Sequence, residues 1–289
     1  MQYGAYIFFR LTVVIFSLIP FPILHFFSSI ISFFLNHVFS YRKKVILSNL
    51  RYAFPEMSAK EIKQLLPKIY LHFTDILLES IKGLSLSKEV IFNIYKAYIP
   101  DSLIKHFESN QNIVAFGSHY GNWELGSSAG AQLPYLHIVL YKPMSNKYID
   151  QHIKSSRELD GCLLTSIYSD KAETNKDYNR PKSIVYLSDQ NPSNKGKAHP
   201  ITFFNRETLA LHGAGDYAKK NNLPVYYYKI SKLGRTKYRL DPILLANDVT
   251  DLSAQDITQL YFNHLEQQIS AEPAFWLWTH KRWKTEIKY

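Results

Sequence analysis

His119 and Glu124 lie five residues apart in the run Gly117-Ser118-His119-Tyr120-Gly121-Asn122-Trp123-Glu124, and an imidazole and a carboxylate at that spacing can carry acyl transfer. A hydroxyl at neutral pH is a poor nucleophile toward a thioester, and imidazole is the side chain whose ordinary pKa lets it take the proton during attack. A carboxylate on the other ring nitrogen fixes the tautomer and stabilises the imidazolium as it forms. The spacing assigns that part to Glu124. Gly117 and Gly121 let the backbone approach a substrate closely and adopt torsions closed to other residues. Asn122, or backbone N–H groups around Gly121, are candidates for holding a tetrahedral oxyanion, and Trp123 is expected against the substrate. The competing reading of His119 is an ordinary histidine at a strand end; the glycines, Asn122 and Trp123 around it weigh against that.

These residues need a scaffold. Asn112 to Phe116 is short, apolar and β-rich, and Leu125 to Gln132 is rich in small residues and compatible with a helix. Asn122 is a good N-cap, which puts Glu124 in the first helical turn, where the helix dipole favours a carboxylate. His119 then sits on the loop after the strand, at the sheet edge where ligands collect in open α/β folds. Upstream, residues 44 to 95 read as helical through Ile62, Leu65, Leu66, Ile69, Tyr70, Phe73, Ile76, Leu77 and Ile81, with a capping box at Ser58 and Glu61. Downstream, 136–141, 183–187, 201–204, 224–230 and 237–240 read as strands, and 147–159, 208–221 and 254–270 as helices. Such alternation predicts an α/β fold with a mostly parallel central sheet flanked by helices.

The segment Ser118 to Glu124 resembles the H-x4-D/E motif of the lysophospholipid acyltransferase superfamily, and its Gly-Asn-Trp interior resembles the lipid A late-acyltransferase branch. Further similarity runs through Tyr141-Lys142-Pro143, Asn146, Lys147, Asp150, Ile153 and Arg157. It continues in Leu187 to Pro192, in Phe203-Phe204 with Thr208, and in Trp276 to Lys284. The resemblance implies a glycerolipid-acyltransferase-like fold and catalysis by His119 and Glu124. It also implies an arginine near the active site at Arg157, able to hold a phosphate through paired hydrogen bonds, and Asp189 and Gln190 on the rim of the substrate site. Local ion pairing of Arg157 with Glu158 or Asp160, and turn capping by Asp189 and Gln190, are the alternatives. The Phe-Pro-Glu-Gly-like block that glycerol-phosphate acyltransferases carry after the catalytic motif does not occur there; Asp189-Gln190-Asn191-Pro192 stands in its place.

Between Leu11 and Tyr41 the chain has no Lys, Arg, Asp or Glu. That is long enough to cross a bilayer, which needs about 20 residues, but Pro20 and Pro22 would break a helix near Ile19. A kinked span, a re-entrant pair or a buried hairpin fits. The expected division is a membrane anchor over 1–43 and an acyltransferase domain over 44–289. Arg10, Arg42, Lys43, Lys44 and Arg51 all precede the first acidic residue, Glu56, so the positive-inside rule places the catalytic domain on the cytoplasmic side. With the resemblance, this implies the bacterial inner membrane. The net charge of +10 suits an acidic carrier protein and anionic lipid; the bases are scattered, and no nucleic-acid module appears. The lone Cys162 cannot form an internal disulfide and reads as a small buried hydrophobe.

The expected activity is therefore O-acyl transfer from acyl carrier protein, or coenzyme A, to a hydroxyl of a lipid, by resemblance a lipid A precursor. The thioester is a co-substrate; no cofactor and no metal are expected, since His119 and Glu124 lack a third ligand at a recognisable spacing. Ser118 has no G-x-S-x-G elbow, so direct transfer without an acyl-enzyme is expected. Amino-acid lipids, polyene lipids and lysophospholipids stay open as acceptors. A catalytically silent lipid-binding protein is the rival class. Trp276, Trp278 and Trp283 among His280, Lys281, Arg282 and Lys284 suit either a docking patch or core packing.

Overall fold

Alternating short apolar runs and amphipathic stretches resolve into helices and strands that a computed structural model describes for residues 2–158, 161–168 and 170–284. The N-terminal third is helical: α1 (Gln2–Leu18), α2 (Phe21–His37), α3 (Lys43–Ala53), α4 (Ala59–Gly83) and α5 (Lys88–Ile94). Then come β1 (Tyr95–Ala97), α6 (Asp101–Glu108), β2 (Ile113–Gly117), α7 (Trp123–Gly130), β3 (Leu136–Tyr141), α8 (Lys147–Arg157), β4 (Cys162–Ser166), α9 (Asp170–Asn175) and β5 (Lys182–Leu187). The chain continues with β6 (Ala198–Thr202), β7 (Glu207–Leu211), α10 (Gly213–Asn221), β8 (Val225–Gly234), β9 (Lys237–Ala246) and α11 (Ala254–Ala271).

The central sheet has the order β1-β9-β8-β2-β5-β3-β4 and is mostly parallel, only the β8–β9 hairpin pairing antiparallel. β2 is buried along its whole length, as expected of a strand covered on both faces. The stretch 44–95, read as helical, holds three helices, and β1 begins at its last residue, Tyr95. Pro55 follows the first of them, and the Ser58–Glu61 capping box then starts α4, Glu61 N donating to Ser58 Oγ at 3.3 Å. Residues 201–204 do not join the central sheet. Ile201 and Thr202 belong to a separate hairpin, β6–β7, closed by Phe204 and Asn205 with φ near +54° at both, the geometry of a two-residue hairpin turn whose twist matches its strands. Thr208, predicted to open a helix, is in β7, whose buried Thr208 and Ala210 alternate with less buried neighbours; the helix begins at Gly213. Leu159, the predicted end of the helix that became α8, lies outside the described residues. β4 and β1 have no counterpart in the sequence reading. Cys162 is fully buried in β4, as expected.

Among the described residues no single helix is long and apolar enough to cross a membrane; α1 and α2 together are, by length and composition, but are bent by 119°. α2 turns Leu24, Ser28, Ser32 and Asn36 inward, and Ser28 Oγ donates to Asp75 of α4 at 2.7 Å. Its other face and that of α1 expose Phe8, Leu11, Ile15, Leu18, Phe26, Phe27, Phe33 and Phe34. An apolar surface of that extent needs a partner other than water.

Candidate active site

β2 and β5 are parallel neighbours in register, Gly117 opposite Leu187, so the loops leaving their carboxyl ends start side by side. That adjacency brings His119 to Asp189. His119 Nδ1 lies 2.7 Å from Asp189 Oδ1, and the His119 backbone N–H donates to Asp189 Oδ2 at 2.9 Å. Because a carboxylate only accepts, Nδ1 carries the proton. Trp276 Nε1 donates to Asp189 Oδ2 at 2.8 Å, and Asp189 is 1% exposed. Burial alone would raise its pKa, but the His119 charge and these hydrogen bonds outweigh burial and hold it below the usual carboxylate range. For His119, burial pulls the pKa down, while the charge and hydrogen bond of Asp189, with a smaller contribution from Glu124, leave it raised. Gln190 Nε2 stands 3.1 Å from His119 Nε2.

The expected hydrogen bond from His119 to Glu124 is not formed; Asp189 occupies that position. Glu124, in the first turn of α7, instead pairs with Arg157 at the end of α8 and accepts from Trp123 Nε1 at 3.2 Å. The reason is directional. Glu124 points from the first turn of α7 to the C-terminal end of α8, whereas the loop after β5 emerges directly beside His119. Arg157 thus pairs across 33 residues rather than with its neighbour Glu158, and Asp160 lies outside the described residues. Trp123 packs edge-on against His119, ring centroids 5.2 Å apart.

Asn122 is the predicted N-cap, its Oδ1 accepting from Leu125 N at 3.1 Å. Fully buried, it also donates through Nδ2 to Glu79 Oε2 at 2.8 Å, and the Gly121 N–H donates to Phe275 O at 2.9 Å. The Asn122 amide and the Gly121 N–H, two of the candidate oxyanion donors, are therefore committed inside the protein. Glu79, itself buried, accepts further hydrogen bonds from Tyr238 at 2.7 Å and Thr236 at 3.0 Å and meets His25 of α2 at 3.0 Å. One carboxylate ties the motif loop, α4, the β8–β9 hairpin and the apolar helices together.

Gly121 has φ +61°, and a Cβ there would come within 2.5 Å of Ile230 Cγ2. Gly117 has an ordinary backbone, and its Cβ would meet Leu187 at an unstrained 3.6 Å. Of the two predicted glycines only Gly121 is required by torsion. Gly121→Ala is expected to cost about 1–3 kcal/mol of stability and to displace His119, read together as a lower melting midpoint and a lower turnover.

The C-terminal segment supplies what the sequence left undecided. It runs antiparallel to the motif loop, Leu277 N donating to His119 O at 3.0 Å beside a bridge between Tyr120 and Trp276. Trp276 and Trp278 are buried, as is Arg282, whose guanidinium lies over the rings of Phe203 and Phe262 and donates to Thr208 at 3.0 Å. Trp276 is the partner of Asp189 that sequence reasoning missed; an indole N–H seeks a buried acceptor, but which one is not set by local spacing.

An apolar cavity, part of it open to solvent, lies between α7 and the sheet, lined by Gly117, Ser118, Trp123, Val139, Val185 and Ile230. Ser118 bonds to the Tyr227 hydroxyl at 3.1 Å, not to His119. Among the described residues no group of three His, Cys, Asp or Glu side chains is placed to hold a metal ion. The family model described as bacterial lipid A biosynthesis acyltransferase matches residues 1–285. No curated protein matches the chain.

Proposed function

This chain belongs to the bacterial lipid A biosynthesis acyltransferase family, an acyltransferase acting on lipid with an acyl donor and a lipid acceptor, and from that we propose a direct O-acyl transfer with His119 as general base. The observation that carries the reading is the imidazole held at Nδ1 by buried Asp189, with Nε2 turned away from it, beside an apolar cavity. The acceptor hydroxyl takes the place beside Nε2 that the Gln190 amide fills. Its oxygen attacks the thioester carbonyl while its proton passes to Nε2. The tetrahedral oxyanion then collapses, the carbon–sulfur bond breaks, and the leaving thiolate takes the proton back. Asp189 orients the ring and stabilises the imidazolium; no acyl-enzyme forms. Glu124 adds negative charge near His119 and fixes Arg157, whose remaining N–H donors suit a phosphate of the acceptor or of the donor's phosphopantetheine arm. Trp123 packs along the substrate.

The donor is acyl carrier protein or acyl-coenzyme A, and the acceptor a lipid A precursor. A cleft lined by Lys44, Arg51 and Arg206 with Tyr52 offers positive charge for an acidic carrier or for anionic headgroups. The bent α1–α2 pair enters the bacterial inner membrane from its cytoplasmic face, as family membership and the exposed apolar faces support. The test is transfer by the detergent-solubilised full chain from acyl carrier protein or coenzyme A thioesters to a panel of hydroxylated lipids. A labelled acylated lipid A precursor is the expected product; no product with any lipid, or a covalent acyl-enzyme in rapid quench, would overturn the reading.

A further inference from the structure

His137 lies in β3 with 1% of its surface exposed, and neither ring nitrogen has a protein partner. Burial, and then the charge of Arg180, push its pKa down to about 3, so the ring is neutral at any physiological pH. It lines the same apolar cavity as Gly117 and Ser118, the residues just before His119, together with Gly130 and Tyr228. A Cβ built on Gly130 would face the ring at 3.6 Å, and the Tyr228 hydroxyl is already taken by Ser183 at 2.7 Å. A buried imidazole with two unpaired nitrogens is costly. Solvent drawn into the cavity, or a polar atom of an occupant, can satisfy it; a saturated hydrocarbon cannot.

The register fixes how far this ring lies from the reaction centre. His137 is opposite Ser183, and Ser183 opposite Ile113, while Gly117, which lines the cavity two residues before His119, is four residues further along β2. Four residues of strand at about 3.3 Å each, with two strand spacings of about 4.8 Å across the sheet, span about 16 Å. An extended chain advances about 1.25 Å per methylene, given C–C bonds near 1.5 Å, so it would reach the ring at on the order of thirteen carbons.

We propose that His137 forms a polar floor to the acyl cavity and sets the upper limit of acyl-chain length, with Gly130 close against its ring. This rests on the cavity being the acyl site of the proposed transfer. A floor of this kind cuts off more sharply than an apolar one, because the first chain long enough to touch it strips the imidazole of solvent and returns nothing. An apolar end wall distinguishes neighbouring lengths by only about 10- to 200-fold per methylene.

Equilibrium binding of a homologous series of saturated fatty acids to the detergent-solubilised full chain, by competition with a fluorescent fatty acid, tests the floor independently of turnover. Affinity is expected to rise with length and then break. In His137→Leu, which keeps bulk and removes the nitrogens, the break softens by about ten-fold or more; in Gly130→Leu it moves to shorter chains. Unmodified protein offers a second test that needs no variant. An ω-hydroxyl should weaken binding of short chains but strengthen it at the length that reaches His137. A series without a break, an unchanged break in both folded variants, or an ω-hydroxyl that weakens binding at every length would each overturn the floor. Normal length discrimination in a protein that transfers no acyl group would instead overturn the proposed function while leaving this inference standing.

Discussion

Asp189→Asn is expected to lower kcat by roughly 10³- to 10⁴-fold, a loss approaching that of His119→Ala, while Glu124→Gln costs markedly less. Asparagine at 189 would present an amide to Nδ1, favouring the wrong tautomer and removing the charge that stabilises the imidazolium. Glu124 makes no hydrogen bond to His119; its ion pair is with Arg157. The pH profile separates the two roles. Activity requires neutral His119 and so rises with pH through its pKa, which burial lowers but the charge and hydrogen bond of Asp189 raise by more, with Glu124 contributing last. Removing Asp189 leaves burial dominant, and the acidic limb of the residual rate should move to lower pH; Glu124→Gln should move it the same way by less. A larger kcat loss in Glu124→Gln than in Asp189→Asn, measured on folded protein with saturating thioester and lipid, would return the orienting part to Glu124.

The contrast between these two carboxylates shows what a sequence can carry. The strand before His119, the Asn122 cap and the need for glycine at 121 are encoded within a dozen residues, through β-branched content, a short polar acceptor and a positive φ, and each was legible. The partner of His119 was not, because it depends on β5 lying against β2 while β3 and β4 pair further out. Strand order is a non-local property that spacing does not contain. The same limit applies at the C-terminus. The alternation of Trp276, Leu277 and Trp278 was visible, but whether those rings face a membrane, a carrier or the core is decided by the motif loop they pair with. Thr208 failed for a different reason: a five-residue strand followed at once by a helix offers too few periods to tell two-residue from 3.6-residue repetition. Its meaning emerged only with Arg282, which reaches it from 74 residues away.

Asp75→Ala is expected to destabilise the protein by about 3–5 kcal/mol, the range for removing one member of a buried ion pair. Asp75 is 1% exposed and pairs with Lys232 at 3.4 Å and Arg235 at 2.6 Å of the β8–β9 hairpin. Ser28 of α2 donates to the same carboxylate. The Lys232 ammonium is nearly as buried, with His72 beside it at 3.3 Å, so loss of Asp75 leaves a cation without a counter-charge. His72 gives no relief, since burial, and then Lys232 itself, hold it neutral with a pKa of about 3. For Asp75, burial raises the pKa, but the Arg235 hydrogen bond, Lys232 and Ser28 outweigh it and leave the value depressed. A depressed carboxylate contributes stability that is full above its unfolded pKa of about 3.9 and is lost as pH falls through the folded value. The wild-type chain should therefore lose stability on acidification below about pH 4, and Asp75→Asn should flatten that limb. Both changes are read by denaturant midpoints in detergent across the acidic range. Because the carboxylate joins α2 to the hairpin, its loss should also free the apolar helices from the acyltransferase core, seen as faster amide exchange in α2 and around Ser28. An Asp75→Ala variant with wild-type midpoints and wild-type exchange in α2 would show that this cluster does not hold the apolar helices to the core.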